Sequence, residues 1–387
     1  MRILQLGKFY PIRGGVERVM RDLTEGLSEQ GISCDMLCAA LTSDPIDEKD
    51  RPHALRRKRL LVIRLNPQGR IIVVRALAKK AGTMLSPAMI KYLRKHKDEY
   101  DLIHIHHPDP MAALALRLSG YKGRVILHWH SDIVAQKTLL RLYMPLQNWL
   151  VRRARRIVGT TPIYVKESPH LQGAQDKCTY VPIGIKSLPQ SPKDAAALRR
   201  TFAARYLILS VGRLVPYKGY SMLIDAMKHL PGYYELFIVG EGPLHETLQQ
   251  QIDEAGLGER ITLAGRLEEE GEFLDLYGAC DVFALSSVMK TEAFGIVQIE
   301  AMSCGKPVVS TRIPGSGVAW VNEDGVSGLT VPPRDPQALA AAIQEICEGA
   351  KSWQEYSNGA WERFSSLFTR EKMIEKIQKI YVQEDYK

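Results

Sequence analysis

Residues 206–230 read YLILSVGRLVPYKGYSMLIDAMKHL. An apolar run is followed by a short loop holding Arg213, Lys218 and two glycines, and then by a segment with helical apolar spacing. That is a strand, a loop and a helix. The same unit recurs along the chain. RILQLG, CDMLCAA, DLIHIH, RVILHWH, RIVGTT and TYVPI are strand candidates before it, and ELFIVG, ITLAG, VFALS, PVVST and GLTV after it. Strands alternating with helices imply parallel sheets with right-handed crossovers. A chain of 387 residues has room for two such domains. The pattern pauses at 186–194, KSLPQSPKD, a Pro- and Ser-rich linker. The expected architecture is therefore α/β, with two doubly wound parallel-sheet domains facing a cleft. The expected boundaries are 1–190, 191–368, and a charged helix at 369–387 that packs back toward the first domain.

Composition narrows the function classes. Hydrophobic residues make up 45% and charged residues 25%, as in soluble globular proteins. No signal peptide and no apolar run of membrane-spanning length is expected. Six scattered cysteines form no CxxC or zinc-type spacing and read as small hydrophobes in a reducing compartment. Arg51–Lys97 holds 14 Lys or Arg and no acid, and removing its +14 from the chain's +9 leaves the remainder at −5. This segment and RRARR, 152–156, are basic with apolar residues beside them, which suits an anionic membrane surface. A solvated basic face reads the same way. No nucleic-acid motif accompanies the charge, so nucleic acid is not an expected partner.

In doubly wound sheets, ligands sit beyond the carboxyl ends of the strands. After the first strand, Gly14-Gly15 opens a helix whose N–H groups could form an anion site, although a Gly-Gly turn before a helix is more often only structural. Arg213 and Lys218 share one loop and suit a diphosphate, and a solvated loop with surface charges reads the same way. Glu241 stands between two glycines in IVGEGP, where backbone can approach a ligand or simply turn. TEAFGIVQIEAMSCG, 291–305, places Glu292 ahead of a helix and Glu300 on its second turn. The N–H groups of Phe294, Gly295 and Ile296 lie between them as free donors. The two carboxylates suit sugar and ribose hydroxyls. Glu292 also suits the helix dipole, and Glu300 is costly among apolar neighbours unless partnered. His128 and His130 end a strand on one face, with HIHHPDP, 104–110, elsewhere. A metal site there is possible, and a histidine that hydrogen-bonds substrate is the preferred reading.

Together these motifs resemble the retaining nucleotide-sugar glycosyltransferases of family 4, over nearly the whole chain. GRLVPYKG is similar to that family's phosphate loop, EAFGIVQIEAMSCGKPVV to its E-x7-E signature, and WHSD to the motif with the donor-sugar histidine, which selects His130. The resemblance implies the GT-B fold of two Rossmann-like domains. It implies catalytic roles for His130, Arg213, Lys218 and Glu292. It implies donor binding by Gly14, Gly15, Arg213, Lys218, Glu241, Phe294, Gly295, Ile296 and Glu300. It further implies a front-side mechanism with no metal and no other cofactor. Ile183 stands where many members carry Asn, and Ala293 where Gly is commoner. The EAFG, WHSDIV and RIPGSGV forms look most like bacterial O-antigen and exopolysaccharide transferases. The expected function is transfer of mannose from GDP-mannose to a polyprenyl-diphosphate-linked glycan. The enzyme would be cytoplasmic and peripheral on the inner membrane face. A UDP-sugar-dependent transferase and a noncatalytic sugar-nucleotide binder are the alternatives.

Overall fold

A computed structural model describes residues 1–57, 60–133, 137–188, 194–267 and 270–383. Parts of the basic segment (58–59), of WHSDIV (Val134), of the linker (189–193) and of the final helix (384–387) therefore lie outside the described residues. The chain divides into two compact units. One comprises Met1–Gly184 with Arg370–Lys387, and the other Ile185–Thr369. The first boundary falls at Gly184 rather than 190, because Ile185 N–H donates to Phe368 O at 2.9 Å and Ile185 bridges Thr369.

The strands of the first unit are β1 (Arg2–Phe9), β2 (Ser33–Ala40), β3 (Ala54–Arg57), β4 (Leu60–Asn66), β5 (Gly69–Arg75), β6 (Ala78–Lys80), β7 (Thr83–Leu85), β8 (Leu102–His107), β9 (Arg124–Trp129), β10 (Arg156–Gly159) and β11 (Cys178–Tyr180). Nine of them form one sheet in the order β11-β10-β9-β8-β1-β2-β5-β4-β3, and β6 and β7 form a separate ribbon. The sheet is parallel from β11 to β5 and antiparallel across β5-β4-β3. An all-parallel sheet was expected, so this edge is a correction. Its cause is the two-residue connection between Asn66 and Gly69, which permits only a hairpin. Within the basic segment, Ile63 and Ile71 to Val74 are buried core. Those aliphatic side chains are spent on the sheet rather than offered to a membrane.

The second unit contains β12 (Tyr206–Val211), β13 (Tyr234–Val239), β14 (Ile261–Leu263), β15 (Val282–Leu285), β16 (Val308–Thr311) and β17 (Gly328–Val331). Their order is β14-β13-β12-β15-β16-β17, parallel throughout. Ile208, Ile238, Ala284 and Val309 form the sheet's part of a core completed by Leu223, Ile224, Leu248, Ile252, Leu339 and Ile343 on helices. In both sheets the chain reverses its direction of winding beside the first strand, between β1 and β8 and between β12 and β15. Loops that leave neighbouring strands in opposite directions open a crevice there.

Candidate active site

The crevice of the second unit holds most of the residues singled out in the sequence. The loop after β12 carries Arg213 and Lys218, and the loop after β15 carries Glu292. They meet across the switch point. Val288 N–H donates to Tyr217 O at 2.8 Å, and Ser286 Oγ donates to Lys218 O at 3.0 Å. Lys218 Nζ lies 2.6 Å from Glu292 Oε2, with side-chain exposures of 10% and 11%. Ser287 Oγ donates to the same oxygen at 2.9 Å, and Ser316 Oγ to Glu292 O at 2.5 Å. The carboxylate is thus clamped. Arg213, in contrast, is exposed, and its Nη2 is 3.4 Å from Tyr217 Oη.

The helix Ile296–Ser303 begins one residue beyond Gly295, which sits in the left-handed region at φ 73°. A Cβ on Gly295 would also lie 2.7 Å from Leu285 Cδ2, so only glycine suits the turn. Of the first-turn N–H groups of this helix, that of Gln298 donates to Gly295 O at 2.9 Å, and those of Ile296 and Val297 have no carbonyl one turn back. Phe294 is buried and anchors the turn edge-on against Phe368. Glu300 is partly buried, and its partner is Tyr277, whose hydroxyl donates to Oε2 at 2.9 Å. Burial pushes the Tyr277 phenol well above its ordinary range, and the charge of Glu300 adds to the shift. Tyr277 therefore stays a proton donor. Glu241 is exposed, and its carbonyl accepts from Leu214 N–H at 2.9 Å, tying the loops after β12 and β13 together.

Gly14, Gly15 and His130 belong to the first unit. Gly14 caps the helix Gly15–Glu29 in extended conformation. Glu17 folds back so closely that a Cβ on Gly14 would lie 2.2 Å from its Oε2. A carboxylate thus stands where the sequence suggests an anion. His130 follows β9 and is buried, and its Nε2 is 2.9 Å from His106 Nδ1. His106 Nε2 in turn faces Gln5 Oε1 at 2.8 Å. His128 stacks on His130 at 4.1 Å between ring centroids and on His104 at 5.2 Å. Burial holds all four imidazoles well below their ordinary range, His128 at about 3. His104, His106 and His128 bring ring nitrogens within 4.8 Å of one another, and this trio could hold a metal. Both nitrogens of His106 are already engaged, which makes the column a packed core first and a ligand set second.

Two residues at this unit's switch point were not singled out from the sequence. Lys8 is the penultimate residue of β1, at φ 62°, and is buried. Its N–H donates to Asp109 Oδ2 at 2.5 Å and its ammonium to Pro108 O at 2.5 Å. Asp109 also caps the helix Pro110–Ser119 through the N–H groups of Met111 and Ala112. The signals were present: a lysine directly after a strand, and Asp-Pro before an apolar helix.

Comparison with known proteins covers both units. Residues 13–187 match the profile described as Glycosyltransferase Family 4, and residues 199–363 the one described as Glycosyl transferases group 1. The chain is 31% identical over 387 residues to O-antigen chain mannosyltransferase C of Escherichia coli, covering 98% of each sequence. It is also 31% identical over 377 residues to D-rhamnosyltransferase WbpZ of Pseudomonas aeruginosa, covering 95% of this chain and 92% of the relative. Among solved structures, Anabaena HepE in complex with UDP superposes with a TM-score of 0.78 at 23% identity, over 99% of this chain and all of that one.

Proposed function

The chain belongs to the family 4 and group 1 glycosyltransferases and has their GT-B fold, and on that premise we propose that it is a retaining mannosyltransferase. The donor in this reading is GDP-mannose and the acceptor a polyprenyl-diphosphate-linked glycan of O-antigen or exopolysaccharide type. The observation that carries it is the full-length likeness to an O-antigen chain mannosyltransferase, joined to the Lys218–Glu292 crevice. Glu300, oriented by Tyr277, takes the two ribose hydroxyls. Glu292 takes a hydroxyl of the donor sugar. Arg213 and Lys218 neutralise the diphosphate as it leaves, together with the first-turn N–H groups after Gly295. Charge on a departing diphosphate is where fixed cations and helix donors lower a barrier most. Glu292 already balances Lys218, so the exposed Arg213 supplies the net positive charge of this loop. His130 offers Nδ1, which has no partner within the protein among the described residues, to a substrate hydroxyl. The acceptor attacks from the face the diphosphate leaves, with no metal taking part.

Among the described residues no helix is long and apolar enough to cross a membrane. A lipid-linked acceptor then calls for attachment to the inner face of the cytoplasmic membrane, through the basic residues of 51–97 and 152–156. The likeness to a D-rhamnosyltransferase, at the same 31% identity, favours one second reading: D-rhamnose is 6-deoxy-D-mannose, and the donor sugar could lack the 6-hydroxyl. Thermal unfolding in EDTA with GDP, UDP, ADP or dTDP tests the donor. GDP at 100 times its dissociation constant is expected to stabilise by about 2.7 kcal/mol. A rise with UDP, ADP or dTDP instead, or a GDP effect that needs a divalent cation, would overturn the assignment. Turnover of GDP-mannose against its 6-deoxy analogue separates the two sugars.

A further inference from the structure

In the basic segment the aliphatic residues at 63 and 71–74 are core and Leu55, Leu77 and Leu85 are exposed singly on strands and a loop, so a helical apolar stripe is found elsewhere in the first unit. The helix Lys137–Arg153 supplies one. Tyr143, Gln147, Leu150 and Val151 form its buried face. Beside that face, Leu139, Leu142, Leu146 and Trp149 follow at spacings of three, four and three, which is one stripe of a helix. Leu142 is 77% exposed, the most exposed large apolar side chain among the described residues, and Leu139 is 49% exposed. The neighbouring helix Pro110–Ser119 packs against this one and adds Leu118, 45% exposed, and Leu114, 37% exposed. Arg117 of that helix lies over the Trp149 ring, 5.2 Å from its centroid. Scattered exposed leucines are ordinary, whereas several on adjoining helices mark a contact surface.

The charge around the stripe selects the partner. From Pro110 to Lys166 the chain has ten Lys or Arg and a single acid, Asp132. Asp132 is buried and accepts from Trp129 Nε1 at 2.9 Å and Ser168 Oγ at 2.7 Å. The leucines are therefore flanked by exposed Arg117, Arg141 and Arg152 with no acid of this stretch at the surface. Apolar side chains on a helix flank beside cations are what an anionic bilayer accepts. The leucines enter the acyl boundary, and the guanidinium groups stay with the headgroups. We propose that the helix Lys137–Arg153, with Leu139 and Leu142 leading, lies in the surface of an anionic membrane and seats the first unit on it. The proposal rests on the membrane reading above and assigns its insertion element.

Flotation of the full chain with phosphatidylcholine vesicles, with and without one part in three of phosphatidylglycerol and no acceptor, tests it. The wild-type chain is expected to float only with the anionic vesicles. Leu139→Ser with Leu142→Ser is expected to lower partitioning about tenfold. Its circular dichroism and its thermal transitions without ligand should match wild type, which certifies the fold of the first unit. No flotation of the wild-type chain would overturn the membrane reading itself. Undiminished flotation of the double variant, or loss only with Arg56→Gln, Lys79→Gln and Lys80→Gln, would overturn this inference and leave that reading intact.

Discussion

Lys218 and Glu292 are 74 positions apart, and each was singled out alone, one as an expected phosphate cation and one as an expected sugar carboxylate. Their pairing was not legible, because it depends on β12 and β15 being neighbours in the sheet. The pair changes what a mutation measures. Removing one partner of a buried ion pair leaves a lone charge and costs about 3–5 kcal/mol. Lys218→Met and Glu292→Gln are each expected to destabilise, and together to cost less than their sum, while transfer falls in all three. Urea unfolding of the four proteins gives the coupling, and strictly additive losses would refute it. The Glu300 carboxylate needed a partner on sequence grounds, and Tyr277 proves to be that partner. Glu300→Ala should weaken nucleotide binding by about 1.5–3 kcal/mol and Tyr277→Phe by about 1 kcal/mol. Calorimetric titration with GDP reads both, and unchanged affinity in Glu300→Ala would remove it from the site.

At the scale of elements, the alternation of strand and helix carried the doubly wound architecture, and hydrophobic runs located most parallel strands. Residues 54–75 escaped because arginines interrupt their aliphatic runs. In the folded chain Arg70 turns out to Asp35, at 2.9 Å, while Ile71 and Ile72 pack. The histidine column of β8 and β9 was likewise visible only as two motifs; its stacking follows from their parallel register, with His106 opposite His128. That column has a consequence for acid stability. His104, His106, His107, His128 and His130 are all held below the ordinary histidine value of 6.5 by burial, His107 and His128 at about 3. The unfolded chain therefore binds more protons than the folded one between about pH 3 and 6.5, and stability falls as pH falls through that window. It is complete above about 6.5. At pH 5 each imidazole that stays neutral costs about 2 kcal/mol at most. Ordinary carboxylates titrate mainly below this range, so urea midpoints between pH 7 and 5 report the column. A flat profile over that interval would contradict it.

At the scale of the whole molecule, the chain ends in the unit where it began. The final helix, Arg370–Gln383, was legible as a charged helix, but its apolar face was masked by the lysines and glutamates around it. Met373, Ile374, Ile377 and Tyr381 are buried. The Tyr381 hydroxyl accepts from Gln5 Nε2 at 3.2 Å and lies 2.6 Å from His104 Nδ1, so the helix reaches the histidine column. Arg370 pairs with Glu25 and Glu29 on the helix Gly15–Glu29. Gly26 lets the two helices close, since a Cβ there would stand 2.0 Å from Ile374 Cδ1. Each buried apolar side chain contributes about 1.5–3 kcal/mol, so removing residues 370–387 strips the first unit of several times that amount. The second unit loses none of its own residues. Calorimetry of the truncated chain should then show one transition lowered or lost and one retained. The two can be told apart, because the column makes the first unit's transition acid-sensitive and GDP should raise that of the second. Gly26→Leu makes the same cut without shortening the chain, by wedging the helix off its seat. If both transitions fall together in either variant, the units unfold as one; if neither moves, the helix is dispensable and the chain's return to the first unit carries no stability.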